Sequence, residues 1–206
     1  MILLVATRSH HKLVEIRSLL SGVPDLQVLD LNEAGVPIDP EEEHLEPHDT
    51  FEENALSKAR HFHARSGLPT VADDSGLEVL ALAGAPGVRS KRFAPGVEAE
   101  GHDLDVANNR HLMRRLAGRA EQGRAARFVC VAALVDGDRP PVVCRGEAPG
   151  VILEAERGAG GFGYDPLFFD PDLGKTFAEL SREEKNERSH RGRAFRMLAT
   201  KLAGRT

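Results

Sequence analysis

The stretch from Thr50 to Gly76 limits the fold more than any other part of the chain. Thr50 and Glu53 form a T-x-x-E capping box, and Phe51, Ala55, Ala59 and Phe62 follow at helical spacing. Gly67 and Pro69 stop the pattern, so a helix is predicted over 50–66. Pro69 to Ala72 then begins a strand, which is predicted to end at Asp73-Asp74-Ser75-Gly76. A helix fixed this firmly, leading into a strand that delivers two adjacent acids, requires a fold of mixed helices and strands.

The rest of the chain agrees. Ile2–Ala6 reads as a short buried strand, followed by an amphipathic helix with Leu13, Ile16, Leu19 and Leu20 on one face. Gln27–Leu31 is a second strand, and 37–49 an acidic exposed loop. A helix is predicted over 105–116. Phe128–Val135 and Pro141–Glu147 pair antiparallel around Asp136-Gly137-Asp138, with a third strand over 150–154. Gly158–Asp165 is a glycine-rich loop. Ser181 and Glu184 make a second capping box, opening a helix broken near Ser189 that runs to about Leu202. The class is α/β (α+β), with a mixed sheet. There is no repeat, linker or low-complexity tail, so 1–206 is read as a single domain.

The net charge of −5 argues against a nucleic-acid partner, because phosphate backbones demand a basic face. No apolar run nears the roughly 20 residues that cross a bilayer, and the start of the chain lacks the pattern of a signal peptide. The expectation is therefore a cytoplasmic protein with no membrane partner. Cys130 and Cys144 lack metal-ligand spacing and read as core residues.

Five groups of residues have chemistry to offer, and most also have a plainer reading. Thr7-Arg8-Ser9-His10-His11-Lys12 sits at a strand-to-helix junction, where free N–H groups, hydroxyls and cations suit a phosphate; an ordinary capped helix with solvated basic residues is the plainer reading and, on this segment alone, the favoured one. Asp73 and Asp74 suit a hard cation such as Mg²⁺, and a carboxylate there is placed to take a proton from water; a solvated turn is the alternative. Glu46 offers a second carboxylate, and Lys58 either points back to a phosphate or faces solvent. In Gly160-Gly161-Phe162-Gly163-Tyr164-Asp165, Phe162 is a stacking platform for a base or closes the core. Lys185, His190 and Arg191 are donors near a helix start, or a solvated basic face.

Taken in order, these motifs resemble the inosine triphosphate pyrophosphatase (RdgB-like) family over nearly the whole chain. The matching stretches are Ala6-Thr7 with Lys12 and Glu15-Ile16, Thr50–Ala55, Lys58-Ala59, Ala72–Leu77, Gly84–Val88, Gly160–Pro166, Glu179-Leu180 with Glu184-Lys185, and Ser189-His190-Arg191. The resemblance implies an elongated mixed sheet flanked by helices, in two lobes with a central substrate cleft, and a homodimer. It implies Mg²⁺-dependent cleavage of non-standard purine nucleoside triphosphates (dITP, ITP, XTP, dXTP) to the monophosphate and pyrophosphate, which cleanses the nucleotide pool. By motif, Asp74 is the general base, and Glu46 and Asp74 are the Mg²⁺ ligands, with Asp73 as a helper. Thr7, Arg8, Ser9, His10, His11, Lys12 and Lys58 hold the triphosphate, with no catalytic role for His10 or His11, and Ser75 touches the substrate. Phe162 stacks on the base. Gly163, Tyr164, Asp165, Lys185, His190 and Arg191 complete the nucleoside pocket, Arg191 donating to the 6-keto oxygen. The chain departs from the family at Ser9, where Asn is usual, and at Arg8, where Gly is frequent.

Overall fold

The structure is a computed structural model and describes residues 1–204. Its frame is a seven-stranded sheet in the order β2-β1-β3-β4-β5-β6-β7. The strands are β1 (Ile2–Val5), β2 (Gln27–Asp30), β3 (Thr70–Val79), β4 (Ala125–Val135), β5 (Val142–Ile152), β6 (Phe168–Asp170) and β7 (Lys175–Thr176). β1 runs parallel to β2 and β3, while β5–β6 and β6–β7 are antiparallel, so the sheet is mixed as expected. The helices are α1 (His10–Leu20), α2 (Phe51–Ser66), α3 (Gly101–Arg115), α4 (Arg182–Arg188) and α5 (His190–Ala203).

Two expectations about strands are corrected. β3 does not end at Asp73-Asp74-Ser75-Gly76 but runs on to Val79. Gly76 stays in the strand, and the buried Leu77 and Val79 beyond it join a second apolar core. The separate strand over 150–154 is instead the end of β5, which carries Pro149 and Gly150 within it. Pro149 is exposed. A Cβ at Gly150 would fall 2.5 Å from the Phe168 ring, so the glycine permits the close approach of β6 and is not a break. α3 begins at Gly101, four residues before its predicted start, and buries Leu104, Asn108, Asn109 and Leu112. The break near Ser189 is found: Ser189 is extended and separates α4 from α5.

The chain forms two compact units. The first comprises 1–74, 130–146 and 190–206; the second comprises 75–129 and 147–189. In the first, Leu3, Val5 and Val71 of the sheet pack with Ile16 and Leu20 of α1 and Phe195, Leu198 and Leu202 of α5. In the second, Leu77 and Val79 pack with Leu112 and Leu116, Ile152, Leu167, and the rings of Phe128, Phe168 and Phe177. Burying a side chain of this size contributes about 1.5–3 kcal/mol relative to exposure, so each unit has a core of its own.

Candidate active site

Asp73 and Asp74 lie in the part of β3 that belongs to the first unit, and both are buried. Successive side chains leave a strand on opposite faces, so the two acids meet different neighbours. Asp73 reaches α1 and α5. Its Oδ2 lies 3.1 Å from Lys12 Nζ and accepts from Arg191 Nη2 at 3.2 Å and Nε at 3.4 Å. Arg191 Nη1 also donates to Glu15 Oε2 at 2.6 Å. Asp74 reaches α2, where its Oδ2 accepts from Asn54 Nδ2 at 3.0 Å. Lys58, one turn further along α2, donates to Glu46 and to the backbone carbonyl of Asp73. The structure therefore brings Lys12, Glu46, Lys58, Asp73, Asp74 and Arg191 into one connected cluster.

The cluster sets its two aspartates apart electrostatically. Burial disfavours the charge on each. At Asp73 the surrounding Lys12, Arg191 and Lys58 outweigh burial and hold the carboxyl well below the usual carboxylate range. At Asp74 burial prevails, the negative charge of Glu46 adds to it, and the carboxyl is pushed up to about 6 despite Lys58, Lys12 and Asn54. Burial also acts on Glu46, but Lys58 and Lys12 bring it below its ordinary value. Lys58 resists burial because Glu46, Asp74 and Asp73 keep its ammonium charged.

The helix starts explain the rest of the predicted phosphate segment. Ser9 is the N-cap of α1, its hydroxyl accepting from the Lys12 backbone N–H at 3.4 Å, while Thr7 Oγ1 accepts from the Ser9 N–H at 3.1 Å. This is the ordinary work of hydroxyls at a helix N-terminus. His10 and His11 are exposed on the first turn of α1. Arg8 is not turned to a phosphate position. It forms a two-pronged pair with Glu42, at 3.0 and 2.7 Å, and donates to the carbonyls of Val36 and Pro37. Ser75 is half-buried in β3.

In the second unit the glycine-rich loop closes on Asp165. Its Oδ2 accepts from the Phe162 N–H at 2.9 Å and from Lys185 Nζ at 2.6 Å, and the Lys185 ammonium sits 4.7 Å from the Phe162 ring centre. Gly161 has φ +71°, and a Cβ there would fall 2.1 Å from Asp165 Oδ2, so only glycine fits. The Gly163 N–H donates to Asp105 at 2.8 Å. Phe162 remains half-buried, as a stacking surface must.

Two side chains expected in the nucleoside pocket are buried. Tyr164 is in the apolar core, its hydroxyl donating to the Ser90 carbonyl at 2.8 Å, so only its backbone is left to meet a ligand. Arg191 is 2% exposed and bound to Asp73 and Glu15. A guanidinium held by two carboxylates in the interior would have to give up strong charge-assisted bonds to reach a base. His190, its neighbour at the start of α5, is also buried.

Sequence reasoning left Asn54 and Glu15 out of the site. Both lie in the quoted motifs, but a lone amide or acid within a helix looks like part of a solvated face until its partner is known.

The donor set fits a hard divalent cation. Glu46 and Asp74 offer carboxylate oxygens only, and their mutual repulsion is what a cation there would relieve. No group of three or more His, Cys, Asp or Glu side chains suited to a metal occurs among the described residues. Two carboxylates suit Mg²⁺, which keeps waters and takes its other ligands from substrate phosphates.

Fold and cluster together define an α/β protein with a buried carboxylate–ammonium centre on one strand, the equipment of a phosphate-handling protein. The Ham1 family model matches residues 3–201. The chain is 50% identical over 203 residues to a dITP/XTP pyrophosphatase of Aromatoleum aromaticum, covering 98% of this chain and 96% of that one. It is 46% identical over 202 residues to a dITP/XTP pyrophosphatase of Ralstonia nicotianae, covering 97% and 96%. The Ham1 protein of Staphylococcus aureus superposes with a TM-score of 0.84 at 35% identity, over 100% of both chains. The chain belongs to the Ham1 family, and the resemblance carried by its motifs is borne out.

Proposed function

We propose that this protein hydrolyses non-standard purine nucleoside triphosphates (dITP, ITP, XTP and dXTP) to the monophosphate and pyrophosphate, and so keeps them out of DNA and RNA. The observation that carries this reading is Asp74, a buried carboxyl pushed up to about 6 beside Glu46, Lys58 and Lys12. Relatives named dITP/XTP pyrophosphatases that match almost end to end supply the substrate class.

Asp74 acts as the general base. With a value near 6 it is mostly ionised at pH 7 yet basic enough to take a proton. It accepts that proton from a water whose oxygen bonds to the α-phosphorus. The bond from the α-phosphorus to the bridging oxygen breaks, and pyrophosphate leaves with the electron pair. Lys12 and Lys58 offset the charge on the phosphate oxygens in a buried setting where each interaction counts for more than in water. Glu46 and Asp74 would hold Mg²⁺, which would supply further positive charge to the triphosphate. Thr7, Ser9, His10 and His11 line the phosphate end at the start of α1, with Ser75 on β3. Phe162 stacks on the base, and Gly163, the Tyr164 backbone, Asp165 and Lys185 frame it. His190 and Arg191 complete the nucleoside pocket, and Arg191 also holds Asp73.

No described helix is long and apolar enough to cross a membrane. We infer a cytoplasmic protein and, as the resemblance implies, a homodimer; light scattering after size exclusion checks the assembly, and a mass of one chain would remove it.

The first test is pyrophosphate release from dITP, XTP, dGTP, dATP and dTTP at equal concentration, with and without Mg²⁺. Mg²⁺-dependent release concentrated on dITP and XTP is expected. Equal rates on all five would discard the purine selectivity, and no release from any would discard the proposal.

A further inference from the structure

Asn54 is 1% exposed in a helix whose outer face is charged, and its side chain faces the acids. A buried amide must find partners, and this one finds three. Its Oδ1 accepts from the His48 N–H at 2.9 Å. Its Nδ2 donates to the His48 carbonyl at 3.2 Å and to Asp74 Oδ2 at 3.0 Å. Both amide hydrogens are thereby committed. The bonds also fix the orientation of the group, because turning it over would set its oxygen against the His48 carbonyl and the Asp74 carboxylate.

The amide of Asn54 thus bonds to His48 as one peptide group does to another across a sheet, and its remaining hydrogen goes to the acid. His48 lies two residues after Glu46, in a segment outside any helix or strand. Glu46 is tied through its side chain to Lys58, and His48 through its backbone to Asn54, and both partners are on α2. Asn54 and Lys58 are four residues apart, so they share one face of that helix.

We infer that Asn54 is a positioning residue for the reaction: it locks the backbone carrying Glu46 and the carboxylate of Asp74 into one unit, so that the two acids present a fixed pair to the cation and the phosphates. The inference rests on the function proposed above and deepens it. Asn54 acts through the two groups it holds, the His48 backbone and the Asp74 carboxylate. Without it, Glu46 keeps its lysine but loses the anchor two residues away, and Asp74 loses a hydrogen bond that orients its carboxylate.

The test compares wild type with Asn54→Ser and Asn54→Gln. Ser is too short to span His48 and Asp74 together; Gln keeps the amide but displaces it by one methylene. Three quantities are read: thermal melting, dITP turnover across a range of Mg²⁺ concentrations, and hydrogen exchange over residues 46–49 in the nucleotide-free protein. In folded Asn54→Ser, kcat falls and the Mg²⁺ needed for half-maximal rate rises, each by about 10–100-fold, as when a partner behind a metal ligand is lost. KM for dITP at saturating Mg²⁺ stays within about threefold, because phosphate and base contacts survive. Exchange at 46–49 speeds up while the rest of the chain is unchanged. Asn54→Gln, with the amide retained, falls between. A purely structural role would lower the melting temperature and leave turnover per folded molecule and the Mg²⁺ requirement alone, which overturns the inference. If Asn54→Ser does not fold, the same comparison is made on Asn54→Gln, and wild-type kinetics there also overturn it. An inert wild type is distinguishable from both, and removes the proposed function and this inference together.

Discussion

Asp73 and Asp74 are adjacent in sequence, yet one is held well below the usual carboxylate range and the other is pushed up to about 6. The difference follows from the pleat, which gives Asp73 to the cations of α1 and α5 and leaves Asp74 in a buried place beside Glu46. A base works ionised, so kcat/KM rises with pH through about 6 and levels above it. Bound Mg²⁺ favours the carboxylate and moves that limb to lower pH. A profile measured at low and high Mg²⁺ checks both, and a rate that stays flat down to pH 5 would remove Asp74 as the base. Asp74→Asn is expected to cut kcat by about 10³-fold or more, with little change in melting, since the amide is nearly the same shape. At this scale the acids and lysines of the cluster were legible in the sequence as candidates, each with a plainer reading beside it, and only the order of the motifs favoured the site. Asn54 and Glu15 were not, since a buried polar side chain is identified by its partner, and the partners come from other elements. Arg191 was seen as a donor, but which acceptors it faces is decided by β3 and α1.

Among the elements, helices were read more accurately than strands, for a physical reason. Helices announce their ends through local chemistry: Thr50 accepts from the Glu53 N–H, Ser181 and Glu184 complete a reciprocal box, and Gly67 takes the left-handed φ of +69° that ends α2. Strand ends depend on the neighbouring strand. Gly76 and Gly150 looked like breaks, but both sit inside strands, and Gly150 is small because Phe168 lies against it. The loop around Gly161 is the opposite case, where the glycine is needed for both its φ and the space it leaves. Gly161→Ala would drive a methyl group into Asp165 Oδ2 and disturb the contacts of that oxygen with Lys185 and the Phe162 N–H. The expected cost is about 1–3 kcal/mol in stability. If the loop binds the base, KM for dITP rises more than kcat falls. Melting and steady-state kinetics check this, and an unchanged KM with a folded loop would take the base-binding role from these residues.

On the scale of the whole chain, the order of motifs was legible and the long ties between them were not. Arg191 lies 118 positions from Asp73 and 176 from Glu15, and nothing local to any of the three marks the others as partners. The tie joins α5, β3 and α1 of the first unit through a cation and an acid that are each almost fully buried. Removing one member of such a pair leaves the other charge buried without it, which typically costs about 3–5 kcal/mol. Arg191→Met and Asp73→Asn should therefore each lower stability strongly at pH 7, and the double variant should lose less than the two effects added. A double-mutant cycle by urea denaturation reads the coupling, expected above about 1 kcal/mol; strict additivity would mean that the pair is not a working contact. The same tie has a pH signature. Asp73 is lower in the folded chain than in the unfolded one, so its stabilisation is fully present above the unfolded value of about 4 and is lost as pH falls toward the folded value. Acidification below about pH 4 should thus destabilise wild type more steeply than Asp73→Asn, which has no such carboxyl to protonate. Equal slopes in that window would show that other acids, and not this one, govern the response.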